Sequence, residues 1–260
     1  MIDISFESPT IMLNRRFFAV AACSFLMASG AHAWSWGWGS ETVNGSGEVV
    51  SEVRELPSFD AISLAGGFQV IVRQNSSSRV EVRTDKNLQP LLETRIVDGS
   101  KGRTLEIAPK KGSSLNGSVR PQIIIDMAQL RAIAIGGSGN IKVEAMKTPS
   151  VDASIGGSGD ISFVNIESES LAFNVAGSGD IKASGTTQVL RLSVAGSGDI
   201  RARSLQAEEV KVSIAGSGNT EVFARKTLNV SIAGSGDVAY LGSPELKLSV
   251  AGNGKVKKLY

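Results

Sequence analysis

The residues best placed for chemistry are six acidic or amide side chains that return at a near-constant interval: Asn140, Asp160, Asp180, Asp199, Asn219 and Asp237. Each closes a four-residue turn opened by Gly-Ser-Gly. If successive turns lie above one another, neighbouring carboxylates come within about 5 Å, the separation at which a retaining glycosidase holds its acid and its nucleophile. A polysaccharide-cleaving mechanism would then rest on an adjacent pair such as Asp180 and Asp199. An oxygen-rich column also suits calcium. The calcium-binding nonapeptide repeat, however, sets two turns in close succession, whereas here the period is twice as long with one carboxylate per turn. Against both readings stands the ordinary use of Asp and Asn in turns, where the side chain bonds nearby backbone. All these positions are equivalent and none has a special neighbour. The reading is therefore turn chemistry, with no catalytic residue, no cofactor and no metal site expected.

Other chemistry is limited by what the chain lacks. Its one Cys and one His, Cys23 and His32, fall in the first 33 residues, which read as an export signal. Asn14-Arg15-Arg16 supplies the basic flank, with Met12 an alternative initiator. Phe17 to Met27 is apolar but short for a membrane span, and Ala31-His32-Ala33 is a cleavage site that places the mature start at Trp34. Val20-Ala21-Ala22-Cys23 resembles a lipoprotein box, so a lipid anchor at Cys23 is the lesser alternative. Arg15-Arg16-Phe17-Phe18 resembles the core of a twin-arginine signal. Without its signal the chain has neither Cys nor His, which excludes disulfides, Cys/His zinc sites and Ser-His-Asp or Cys-His nucleophile systems. No later segment approaches 18 apolar residues, so no transmembrane helix is expected after signal removal. Apolar residues make up 42% and charged residues 20%, with a formal charge of +2. That balance supports a buried core and no polyelectrolyte partner. No phosphate loop and no aromatic-plus-basic nucleic-acid signature is present.

The elements that must position the turns follow from their spacing. Seven turns carry paired glycines: Gly137 and Gly139, Gly157 and Gly159, Gly177 and Gly179, Gly196 and Gly198, Gly216 and Gly218, Gly234 and Gly236, Gly252 and Gly254. The steps between them are 20, 20, 19, 20, 18 and 18 residues. Before each turn the pattern alternates: Ile135, Ile155, Val175, Val194, Ile214, Ile232 and Val250 form one apolar column, and Ile133, Ala153, Phe173, Leu192, Val212, Val230 and Leu248 another, two residues earlier. The positions between are small or polar. After each turn a further column starts at Ile141, Ile161, Ile181, Ile200, Thr220, Val238 and Val256, with Thr220 the departure. Period-2 alternation with β-branched inner residues marks half-buried strands. An antiparallel meander would need both strands of each hairpin to be comparable, but only the leading strand is regular. Like residues at like places favour stacking instead. The expected fold is all-β: a single-stranded parallel β-helix, or β-solenoid, of about 18–20 residues per rung, right-handed as parallel crossovers are.

The domain reading places the signal at 1–33, a flexible Trp/Gly-rich lead at 34–48 and one solenoid domain at 49–260. Within it, 49–130 are irregular rungs and cap, and 131–260 are the regular repeats. The lead holds Trp34, Trp36 and Trp38, either a loose tail or an aromatic tip. Ile62-Ser63-Leu64-Ala65-Gly66-Gly67-Phe68 mimics one repeat turn, and Asn87 to Leu92 suggest a brief helical turn. Phe59, Ile62, Gly67-Phe68-Gln69-Val70, Val80-Glu81-Val82, Asn87-Leu88, Val97-Asp98-Gly99 and Leu105-Glu106-Ile107, followed by the serial Gly-Ser-Gly-Asp turns, resemble the GIN domain family of adhesin heads. The resemblance covers about residues 49–256. It implies a right-handed β-helix and a cell-envelope location, and brings no catalytic residues. Neither the translocating barrel of an autotransporter nor the coiled-coil stalk of a trimeric one is apparent. Outside the leading strands, Arg191, Ser193, Lys211, Ser213 and Lys247 form a polar and basic ladder, to which Lys110-Lys111 and the Lys-rich tail could add. It reads as a solvated face or as a platform for an anionic glycan or partner protein. Taken together, the expectation is a non-enzymatic, exported, periplasmic or surface protein that binds an envelope protein or glycan, with self-association through the solenoid ends possible.

Overall fold

Side-chain alternation decides which way each strand faces. In the computed structural model the apolar member of each pair points into a dry interior. The structure describes residues 40–99 and 102–260. The signal reading at 1–33, with Cys23, and the three Trp residues lie outside the described residues. The strands are β1 (Glu41–Asn44), β2 (Val49–Arg54), β3 (Ala61–Leu64), β4 (Gln69–Gln74), β5 (Arg79–Asp85), β6 (Leu92–Gly99), β7 (Gly102–Pro109), β8 (Ser113–Asn116), β9 (Gln122–Met127) and β10 (Ala132–Ile135). They continue with β11 (Asn140–Val143), β12 (Met146–Lys147), β13 (Ser150–Ile155), β14 (Asp160–Gly177), β15 (Ile181–Gly196), β16 (Ile200–Gly216), β17 (Thr220–Gly234), β18 (Val238–Leu241), β19 (Glu245–Gly252) and β20 (Val256–Lys258).

Through the repeats every pairing is parallel and joins equivalent residues of successive coils. Ile135 pairs with Ile155, and the column runs on through Val175, Val194, Ile214, Ile232 and Val250. This is the β-solenoid, and the meander is excluded. The inner columns are 0–3% exposed from Ile133 to Ile232, and Phe163 stacks on Phe173 with centroids 5.2 Å apart. Burying such residues contributes about 1.5–3 kcal/mol each, which is what replaces disulfides here.

Chain order and stacking order part company at the beginning. The strands before the turns stack as β7, β3, β10, β13, the later halves of β14 to β17, and then β19. Those after the turns stack as β9, β4, β11, the first parts of β14 to β17, β18 and β20. The repeat-like segment at 62–68 thus forms a true rung beside residues 132–143, while the later β7 and β9 lie outside it. The irregular rungs at 49–130 are therefore not laid down in sequence order. Beyond β7 and β9 the chain turns antiparallel: β6 pairs with β7, β5 with β9, and β2 with β5. Antiparallel strands need only tight turns, so they close an end that parallel strands cannot. The helical turn is present at Gln89–Leu91 as a 3-10 segment. The lead read as flexible from 34 to 48 is tied down at its far part: β1 runs parallel to β8, and Asn87 Nδ2 donates to the Asn44 carbonyl at 2.8 Å.

Candidate functional site

The Gly-rich corners form a continuous column of turns. A methyl at Gly157 would sit 2.5 Å from the Gly137 carbonyl oxygen, closer than any real contact. Gly196 adds φ +140, a conformation that favours glycine. The glycine positions of the corners carry no side chain because the coil beneath occupies its space.

The acidic and amide residues line this column, and those from Asp160 to Asp237 are each spent on the next coil. Asp160 Oδ1 accepts the backbone N–H of Asp180 at 3.1 Å, Asp180 Oδ1 that of Asp199 at 3.0 Å, and Asp199 Oδ1 that of Asn219 at 2.9 Å. Asn219 Oδ1 accepts from Asp237 at 3.2 Å, and Asp237 Oδ1 from Lys255 at 2.8 Å. Only an acceptor oxygen is needed, so Asp and Asn interchange. The remaining oxygens of the adjacent pair are also engaged: Arg201 donates to Asp180 Oδ2 at 2.7 Å and to Asp199 Oδ2 at 3.0 Å. The bond to Asp180 comes first among the effects that raise the Arg201 pKa, against the opposing effect of burial. A carboxylate bonded at both oxygens to fixed donors is a poor nucleophile and a poor acid. Among the described residues, no group of three or more acidic, His or Cys side chains is placed to hold a metal ion.

One concave feature lies at the corner where each coil turns back toward its next leading strand. There a groove of about 690 Å³ crosses five coils. Its floor carries the hydroxyls of Thr148, Ser168 and Thr187, bonded to the carbonyls of Leu130, Pro149 and Val189. On one rim Lys147, Glu167, Thr186 and Gln206 stack in register. The other rim holds Glu169, Gln188, Glu208, Arg225 and Lys226. Lys147 pairs with Glu167 at 3.4 Å and Lys226 with Glu208 at 3.3 Å. Three cations face three anions, so the groove is polar but nearly neutral. Sequence reading passed over these segments because they vary from coil to coil. That variation, in a chain that otherwise repeats itself, was the available signal.

Arg191, Ser193, Lys211, Ser213 and Lys247 do line one outward sheet face in register. Arg191 donates to Ser170 Oγ at 3.2 Å. Lys110 and Lys111 occupy the turn between β7 and β8.

A family model described as "Putative auto-transporter adhesin, head GIN domain" matches residues 58–244. The chain belongs to the GIN domain family. Among solved structures, a GIN-like fold is shared with a "putative adhesin" from Bacteroides fragilis at 24% identity and TM-score 0.78, covering 84% of this chain and 100% of that one. A "putative lipid binding protein" from Parabacteroides distasonis is 27% identical with TM-score 0.72, covering 85% and 100%. A "putative adhesin" from Parabacteroides merdae is 21% identical with TM-score 0.68, covering 84% and 99%. No curated protein matches. Among the described residues, no helix is long and apolar enough to cross a membrane.

Proposed function

We propose that this GIN domain protein is a non-enzymatic binding protein of the cell envelope, adhesin-like, and that its corner groove takes an extended, uncharged polar polymer of the glycan class. The observation that carries the reading is the groove itself. It spans four coil spacings, about 19 Å, offers hydroxyl, amide and paired charged groups along its length, and has no net charge to select a polyanion. The basic sheet ladder is a weaker candidate, because Asn229 separates Lys211 from Lys247 and the coils before Arg191 carry Ala172 and Asp152 in its place. Export to the periplasm or surface accords with the sequence signal and with the adhesin names carried by the structural relatives.

Isothermal titration against neutral envelope polysaccharides tests the proposal. Binding is expected, and Gln188→Ala, which removes one exposed amide from the rim, weakens it about five- to tenfold, the worth of one hydrogen bond. The melting temperature stays unchanged. Lipid vesicles belong in the same series because of the name of the Parabacteroides distasonis relative. Vesicle binding without glycan binding would overturn the glycan assignment. Release of new reducing ends that Asp180→Asn abolishes would replace the whole reading with an enzyme.

A further inference from the structure

We infer that the corner groove has a negative and a positive end, and that it selects a glycan neutral along its length but ending in one carboxylate, seated against Arg225 and Lys226. This rests on the reading of the groove as a glycan site and adds to it the place of a single charge. The charged groups that line the groove balance overall but not locally. Toward the cap, Lys147 stands with Glu167 and Glu169, one cation against two anions. At the far end, Glu208 stands with Arg225 and Lys226, one anion against two cations. Between them lie Thr186, Thr187, Gln188 and Gln206, all uncharged.

Stacking fixes the separation of the two ends. Ser150, Ser170, Val189, Glu209 and Thr227 share one column of the register. The residues just before them, Pro149, Glu169, Gln188, Glu208 and Lys226, therefore follow one another on successive coils. Glu169 and Lys226 are three coil spacings apart, about 14 Å. That exceeds the Debye length of about 8 Å in physiological salt, so exposed charges at the two ends do not cancel and each end keeps its sign. Within each end the pairing leaves a group to spare. Lys147 pairs with Glu167 at 3.4 Å, and Glu169 on the opposite rim is exposed. Glu208 is shared by Arg225 at 3.4 Å and Lys226 at 3.3 Å, so one carboxylate serves two cations. Arg225 spends two of its five N–H groups, on Glu208 and Gln206. The Arg225 and Lys226 side chains are 53% and 70% exposed, open to a ligand. Glu209, the next acidic residue, does not line the groove.

A guanidinium beside an ammonium suits a carboxylate, the first through its planar fork and the second as a point charge. A polymer acidic at every unit would instead meet Glu167, Glu169 and Glu208 along its path, and like charges in contact cost affinity. A terminal acid at the Glu169 end is disfavoured for the same reason, so the acid-ended chain lies in one direction.

Isothermal titration with matched probes tests this. Tetrasaccharides of mannose, glucose and N-acetylglucosamine are each prepared in three forms: neutral, oxidised to a carboxylate at one terminal primary alcohol, and oxidised at every primary alcohol. For the sugar that binds, the one-carboxylate form is expected to bind about tenfold more tightly than the neutral form, the worth of a charge-assisted hydrogen bond. Added salt shrinks that preference. The fully oxidised form binds no better than the neutral one, and Glu169→Gln improves its binding several-fold. The double variant Arg225→Gln, Lys226→Gln brings the ratio of one-carboxylate to neutral affinity close to one, whatever it does to either affinity alone. Lys211→Gln, on the basic sheet ladder, keeps the ratio, and circular dichroism melts check that each variant folds. A wild-type ratio near one, with neutral binding retained, overturns this inference and leaves the groove reading standing. So does a preference that Lys211→Gln removes and the double variant keeps. Binding of none of the probes overturns both.

Discussion

Thr220 shows what a single atom costs inside a stack of like residues. Every other member of its column is aliphatic, and Thr220, 1% exposed, leaves its hydroxyl without a hydrogen-bond partner. A buried unpaired hydroxyl costs about 1–3 kcal/mol. Thr220→Val keeps the branched shape and removes the oxygen. It is expected to stabilise the domain by about 1 kcal/mol, read as a higher denaturation midpoint with an unchanged slope. A lower midpoint would mean that the hydroxyl has a partner in solution. The Asx column shows the converse. The same few atoms that suggest a carboxylate pair for catalysis are consumed in holding up the next coil.

At the scale of elements, the cap depends on one carboxylate. Asp85, at the end of β5, is fully buried. It accepts from Ser118 Oγ at 2.6 Å, Ser118 N at 2.8 Å and Gly47 N at 2.7 Å, so it ties the loop before β2 to the loop before β9. The Ser118 hydroxyl is the main cause of its lowered pKa, burial opposes it, and the backbone donors of Gly47, Ser118 and Val119 reinforce it. A carboxyl whose folded pKa lies below its unfolded one binds fewer protons when folded. Its contribution is therefore complete above the unfolded value, about pH 4, and is lost as pH falls through the folded value. Melting followed from pH 7 downward is expected to show wild type above Asp85→Asn at neutral pH, with the gap closing below about pH 4. A gap that does not change with pH would assign the stabilisation to shape rather than charge.

Across the whole solenoid, stability is a sum over neighbouring coils. A central coil such as that of β16 is paired on both sides, whereas β19 pairs only with β17. Hydrogen exchange is expected to be slowest in β14 to β16 and fastest in β19, since the last coil opens without disturbing the rest. Equal protection in β19 and β16 would contradict the picture of an open final coil.

The repeat by itself determined the solenoid. Inner and outer residues alternate with period 2, and turns recur every 18–20 residues, so only one vertical register lets like cover like. It also determined which residues form the core and the corners, since a missing Cβ and a branched apolar side chain each have one suitable place in a coil. Even the out-of-order rung was legible at Ile62 to Phe68, as a degenerate copy of the motif. Three matters were decided only by the tertiary structure. The order of the first coils depends on strand pairs distant in sequence, which no local pattern encodes. The corner groove arises where the repeat is least regular, so its residues share no signature. The fate of the Asp column rests on hydrogen bonds between coils: Asp180 and Asp199 lie on successive coils, but Arg201 and the backbone of the coil above occupy their oxygens.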